Sequence, residues 1–152
     1  MSLSICFIGA GNLATHLSVE LQQRGFHIAQ VYSRGIESAQ TLADILQTEY
    51  TTSPGDITKN ADIYFVALKD SVFDEVLSKI EFNNKLIVHC SGSLPLSVLS
   101  KYSNKTGVFY PLQTFSKGKK ISFKSIPVFI ESNGLQTEKI VLRLAKSLSG
   151  TV

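Results

Sequence analysis

The sequence predicts an α/β fold: a doubly wound, mainly parallel sheet with helices on both faces. Two observations carry that expectation. Apolar runs of strand length, such as SICFI, DIYFVAL and KLIVHC, alternate with stretches whose apolar residues recur at helical spacing. The runs are apolar at nearly every position, as in strands buried on both faces of a parallel sheet. Right-handed crossovers between such strands leave the doubly wound arrangement as the natural architecture.

Each element follows in order. LSICFIG reads as the first buried strand, and Asn12 to Arg24 as a helix with Leu13, Leu17 and Leu21 on one stripe, closed by Gly25. FHIAQVYS reads as the second strand. The helix from Glu37 to Gln47 carries Ala39, Leu42, Ala43 and Leu46 on its apolar face. A short extended piece at Tyr50 to Thr52 and a turn at Ser53-Pro54-Gly55 lead into ADIYFVAL, the clearest strand. A helix is expected from Ser71 to Ile80, opened by Ser71 and Asp74 as a capping pair. KLIVHC, a short helix around Leu96 to Tyr102, the strands TGVFYPL and SIPVFIES, and an amphipathic helix from Leu135 to Leu148 complete the series.

Composition narrows the function classes. The 152 residues amount to about one domain, and 43% hydrophobic against 18% charged residues, with mean hydropathy +0.13, excludes a disordered chain. No apolar run approaches the roughly 20 residues of a membrane span, and the N-terminus has no basic signal region, so a cytoplasmic protein without a membrane partner is expected. The net charge of +3 suits an anionic small molecule better than nucleic acid, and the densest basic run, Lys117 to Ser125, reads as a solvated loop. Cys6 and Cys90 fall in strand-like contexts and read as core thiols. The three histidines have no ligand partner at metal-binding spacing. Gly150 reads as a helix stop, and Thr151-Val152 as the first step of another strand. Residues 1–152 are therefore expected to be a dinucleotide-binding domain, the front part of something longer.

The chemistry concentrates at strand ends. Gly9-Ala10-Gly11-Asn12-Leu13-Ala14 joins the first strand to the first helix and fits G-x-G-x-x-G/A. In that pattern the first glycine permits the tight turn, the second admits a pyrophosphate, and the small third residue lets helix pack on strand. The helix N-terminus offers N–H groups to the phosphates. An NAD site usually places an acid near the end of the second strand, but here Tyr32, Ser33 and Arg34 occupy the place. A hydroxyl followed by a guanidinium suits the 2′-phosphate of NADP, which a carboxylate would repel. Three further strand ends face the same ligand. Ala67 allows close approach, and Lys69 is a candidate for a phosphate or a substrate carboxylate. Ser91 and Ser93 flank Gly92, with Ser91 a candidate contact for nicotinamide or substrate. His89 reads as a strand-end core histidine or as the proton donor, and Gln113 and Thr114 fall on the substrate side.

These pieces occur in the order GAGNLA, SR, VALKD, HCSGSL, YPLQTFS. In that order the chain resembles the pyrroline-5-carboxylate reductase and 6-phosphogluconate dehydrogenase-like Rossmann proteins. It is most similar to a bacterial group labelled NADP oxidoreductase, coenzyme deazaflavin-dependent-like. The resemblance implies NADP(H) at Gly9, Ala10, Gly11, Asn12, Leu13, Ser33 and Arg34, with Ala67, Leu68 and Lys69 along the nicotinamide side. It also implies a helical C-terminal domain, absent from these residues, that completes the substrate pocket and forms a homodimer. The expected function is hydride transfer between nicotinamide and a small C=N or C=O substrate, with Lys69, Ser91 and His89 as candidate catalytic residues. The alternative is an NADP(H)-binding or sensing module without turnover.

Overall fold

The computed structural model describes residues 3–116 and 118–152. Seven strands form one sheet: β1 (Ser4–Ile8), β2 (His27–Tyr32), β3 (Glu49–Thr51), β4 (Ile63–Val66), β5 (Leu86–His89), β6 (Thr106–Pro111) and β7 (Val128–Ser132). Their order is β3-β2-β1-β4-β5-β6-β7, parallel throughout except that β7 runs antiparallel to β6. The chain thus winds outward from β1 in both directions, and the reversal between β1 and β4 opens the crevice where such sheets bind ligands.

The central strands β1, β4, β5 and β6 bury both faces, as their continuous apolar runs require. On one face α1 (Asn12–Gln23), α2 (Ile36–Leu46) and α4 (Leu135–Leu148) pack through Leu17, Leu21, Leu42, Leu46, Val141 and Leu144. They meet Phe7, Phe65, Val88 and Phe109 of the sheet. The Phe7 and Phe65 rings stack at 5.2 Å, and Phe109 meets Phe65 edge-on at 5.6 Å. The other face is covered by α3 (Phe73–Leu77) and a 3-10 turn at Leu96–Leu99, which bury Cys6, Ile8, Tyr64, Val66 and Ile87. Cys6 and Cys90 are buried free thiols. Among the described residues no helix is long and apolar enough to cross a membrane.

Two expectations about helices are corrected. The helix expected over residues 71–80 is a 3-10 turn at Asp70–Val72 followed by the five residues of α3. Ser71 caps nothing there. Asp74 accepts from the Tyr102 hydroxyl and pairs with Lys101 at 3.2 Å. Beyond Ser78 the chain turns inward to bury Phe82, and Asn83 and Asn84 take left-handed conformations that a helix cannot continue through. The helix expected around Leu96 to Tyr102 is only the 3-10 turn at Leu96–Leu99.

Residues 112–127 connect β6 to β7 and run back over α1. Phe115 is buried between the rings of His16 and Phe123, 5.5 Å from each, and the His16 imidazole meets the Ser116 carbonyl at 2.7 Å. The basic run begins at Lys117, which lies outside the described residues; Lys119, Lys120 and Lys124 are exposed. After α4 the tail returns to the start of β7. Ser149 donates to the Ile126 carbonyl, Gly150 to that of Lys124, and Val128 to that of Thr151. Residues 151–152 form no strand.

Candidate functional site

The carboxyl ends of β1, β2, β4, β5 and β6 meet along one edge of the sheet. Gly9 follows β1 with φ +119°, a conformation open to glycine and costly for other residues. Its N–H donates to the Tyr32 carbonyl at 2.7 Å, and a side chain on it would collide with the Ala67 carbonyl. Gly9 therefore lies between the ends of β2 and β4 with no room for a Cβ. Gly11 has open space where a side chain would project. It is the N-cap of α1, and no side chain caps the first N–H groups of that helix. Unspent donors, open space and the positive end of a twelve-residue helix together make an anion cradle. Ala14 is buried where α1 crosses the sheet.

At the end of β2, Ser33 donates its N–H to the Thr51 carbonyl, and Arg34 stands exposed with no ion-pair partner among the described residues. The nearest acid in sequence, Glu37, is in the first turn of α2, where it complements the helix dipole. The residues present thus fit a dinucleotide with a 2′-phosphate: an open glycine cradle for the pyrophosphate and an unengaged guanidinium after β2. A cavity of about 440 Å³ adjoins the cradle between α1 and α2, with Ala10, His16, Ser38 and Thr41 among its lining residues. Its lining includes none of the candidates from the ends of β4, β5 and β6.

On the nicotinamide side, Ala67 and Leu68 are half-buried, and Lys69 is exposed at the start of the Asp70–Val72 turn. His89 is fully buried. Its Nδ1 accepts from the Ser91 N–H at 3.1 Å, so the ring proton is on Nε2 and is donated to the Pro95 carbonyl at 3.2 Å. Burial holds the imidazole below its usual pKa, outweighing the Pro95 hydrogen bond and the Asp70 and Glu131 charges. The ring bridges its own loop, and neither nitrogen is left for a ligand.

Ser91 is similarly committed. Its oxygen accepts from the N–H groups of Ser93 and Leu94, 3.2 Å each. Ser93 donates its one hydroxyl proton to Asp70 Oδ2 at 2.8 Å, so the 3.2 Å contact between the two hydroxyls must have Ser91 as donor. A directed chain therefore runs Ser91 to Ser93 to Asp70 and ties the β5 loop to the β4 loop. Gln113 and Thr114 are exposed after β6.

Two residues of this edge escaped sequence reasoning. Asp70 has its role only through Ser93. Tyr110 lies over Gly92, so close that a Cβ there would meet Tyr110 Cζ at 2.6 Å. For Tyr110 the signal was the small residue between two serines, readable only once β5 and β6 are neighbours; Asp70 meets Ser93 only because β4 and β5 are neighbours.

Comparisons with known proteins bear on the family and the fold. The family model described as NADP oxidoreductase, coenzyme F420-dependent, matches residues 4–92, more than half of the chain and the whole span from β1 to the β5 loop. A crystal structure from Bacteroides fragilis, described as a candidate NADP oxidoreductase, superposes with TM-score 0.95 at 44% identity, covering 99% of this chain and 60% of that one. A 1-pyrroline-5-carboxylate reductase from Streptococcus pyogenes gives TM-score 0.80 at 18% identity over 99% of this chain and 57% of that one, a likeness of fold. Glutamyl-tRNA reductase of Legionella pneumophila (strain Lens) is 34% identical over 87 residues, 57% of this chain. The chain spans about a fifth of the length of the curated relatives it matches.

Proposed function

The chain belongs to the family of NADP oxidoreductases described as coenzyme F420-dependent, and from that premise we propose that it is the NADP(H)-binding domain of an enzyme transferring hydride between nicotinamide and a small C=N or C=O compound. The observation that carries the reading is the pairing of the open Gly9–Gly11 cradle with Arg34 after β2. Gly9 sets the turn, Ala10, Gly11, Asn12 and Leu13 hold the pyrophosphate through backbone N–H groups, and Ser33 and Arg34 take the 2′-phosphate. Ala67 and Leu68 flank the nicotinamide side. Lys69 orients an anionic group of the substrate, and Gln113 and Thr114 border the substrate. Ser91 and His89 keep the β5 loop in shape. When bound, the dinucleotide supplies the hydride; the protein's share is position and electrostatics. We further propose that a helical segment, corresponding to the remainder of the longer structures this chain matches, completes the pocket and pairs two copies.

NADPH and NADH titrations, followed by nicotinamide fluorescence, test the cofactor assignment: NADPH should bind at least tenfold more tightly. Equal affinity, or no binding, would remove the Arg34 argument. The rival reading, a binding module without turnover, draws on the commitment of both His89 nitrogens to backbone. It gains if NADPH binds and no imine or ketone in a broad panel is reduced.

A further inference from the structure

Hydride transfer to a C=N or C=O carbon needs a proton for the heteroatom, and the committed groups at this edge narrow the source. Both nitrogens of His89 are used. The Ser91 proton goes to Ser93 and the Ser93 proton to Asp70. Tyr32, at the end of β2, is buried in the cluster under α3, which leaves at the ends of β4, β5 and β6 an ammonium, Lys69, and a phenol, Tyr110, without a hydrogen-bond partner among the described residues. Lys69 is exposed on a flexible stem. Tyr110 is half-buried at the end of β6, its backbone paired with Phe129 of β7 and its ring laid on Gly92 between the two serines. The other phenols whose bonding is recorded point elsewhere, Tyr64 to the Thr58 carbonyl and Tyr102 to Asp74. A half-buried phenol whose ring is seated beside the β5 loop is placed at the edge where a general acid is needed.

Resting on the hydride-transfer reading, we propose that Tyr110 is the catalytic acid/base and that Gly92 is the seat that aims it. As the carbon gains the hydride and NADPH becomes NADP+, the π pair of the C=N or C=O bond moves to the heteroatom. The Tyr110 O–H bond breaks, its electron pair stays on the phenolate, and the proton forms the new N–H or O–H bond. Solvent then returns a proton to the phenolate. In the reverse direction the phenolate takes the proton from the amine or alcohol.

The test begins with binding. In protein labelled with 13C at tyrosine Cζ, the Tyr110 signal is identified by its loss in Tyr110→Phe. NADP+ should shift that signal, while 2′-phospho-ADP-ribose, which lacks nicotinamide, should leave it in place. A signal unmoved by bound NADP+, or moved equally by both, overturns the placement of Tyr110 at the nicotinamide. Failure of either compound to bind overturns the cofactor reading instead. For NADPH oxidation with 1-pyrroline or cyclohexanone, Tyr110→Phe should lower kcat by about 10² or more while NADPH affinity stays within about twofold. A Tyr110→Phe rate equal to wild type overturns the proton role alone. In the protein that carries the proposed helical segment, NADPH binding without reduction of either compound, or of any imine or ketone in a broad panel, overturns the hydride-transfer reading, and the proposal with it.

Discussion

An acid after β2 would accept hydrogen bonds from the hydroxyls of a dinucleotide ribose and repel a phosphate in the same place; the chain has Arg34 there, exposed and without an ion-pair partner among the described residues. Arg34→Ala should weaken NADPH roughly 10- to 100-fold, the range for losing a charge-assisted hydrogen bond of about 1.5–3 kcal/mol, and change NADH less than about threefold. Parallel fluorescence titrations read both. Gly9 presents the opposite case, a residue defined by what it lacks. Gly9→Ala forces a Cβ into the Ala67 carbonyl at φ +119°, so stability should fall by roughly 3 kcal/mol or more and cofactor binding should go with it. Urea denaturation measures the first and NADPH titration the second.

Among the elements, the β6–β7 connection is packed onto α1 through the Phe115 ring. Phe115 is packed against His16 of α1 and against Phe123, so it fastens a sixteen-residue connection to the helix that carries the phosphate cradle. Phe115→Ala should cost roughly 3 kcal/mol in chemical denaturation and raise proteolysis around residues 112–122. The elements also differ in how far the sequence announced them. β1, α1, β2 and α2 were legible because apolar period, glycine placement and turn residues all pointed the same way. α3 was not: its apparent capping pair is local, and the contacts that override it, Asp74 with Tyr102 and Lys101 and the burial of Phe82, come from residues distant in sequence or beyond the helix. The direction of β7 was equally hidden, since Val128–Ser132 reads as a strand whichever way it runs. At the site, the cradle was visible as a motif, whereas the seat under Tyr110 depends on β5 and β6 lying side by side. His89 and Ser91 looked chemically available because their backbone partners are set by loop geometry, which residue type does not encode.

For the molecule as a whole, the buried His89 links stability to acidity. Burial lowers its pKa in the folded state, so unfolded chains bind a proton that folded ones resist. Stability from this group is fully present above the unfolded value, about 6.5, and is lost as pH falls from there through the folded pKa. Thermal melts between pH 7.5 and 5 should show a declining midpoint. His89→Asn, less stable at pH 7.5, should flatten that decline above pH 5, before the carboxylates begin to titrate.

The reversed direction of β7 has a consequence of parity. Every parallel strand delivers the chain to the ligand edge, and the helix that follows carries it away to the opposite edge. β7 inverts the cycle: it starts beside Leu112 and ends beside Thr106, so α4 sets out from the far edge and travels homeward. Residues 149–151 are consequently moored to Lys124, Ile126 and Val128, at the rim shared with the nicotinamide side. The end of α4 is thereby tied to the connection that carries Gln113 and Thr114, whereas α1 and α2 end at the opposite rim.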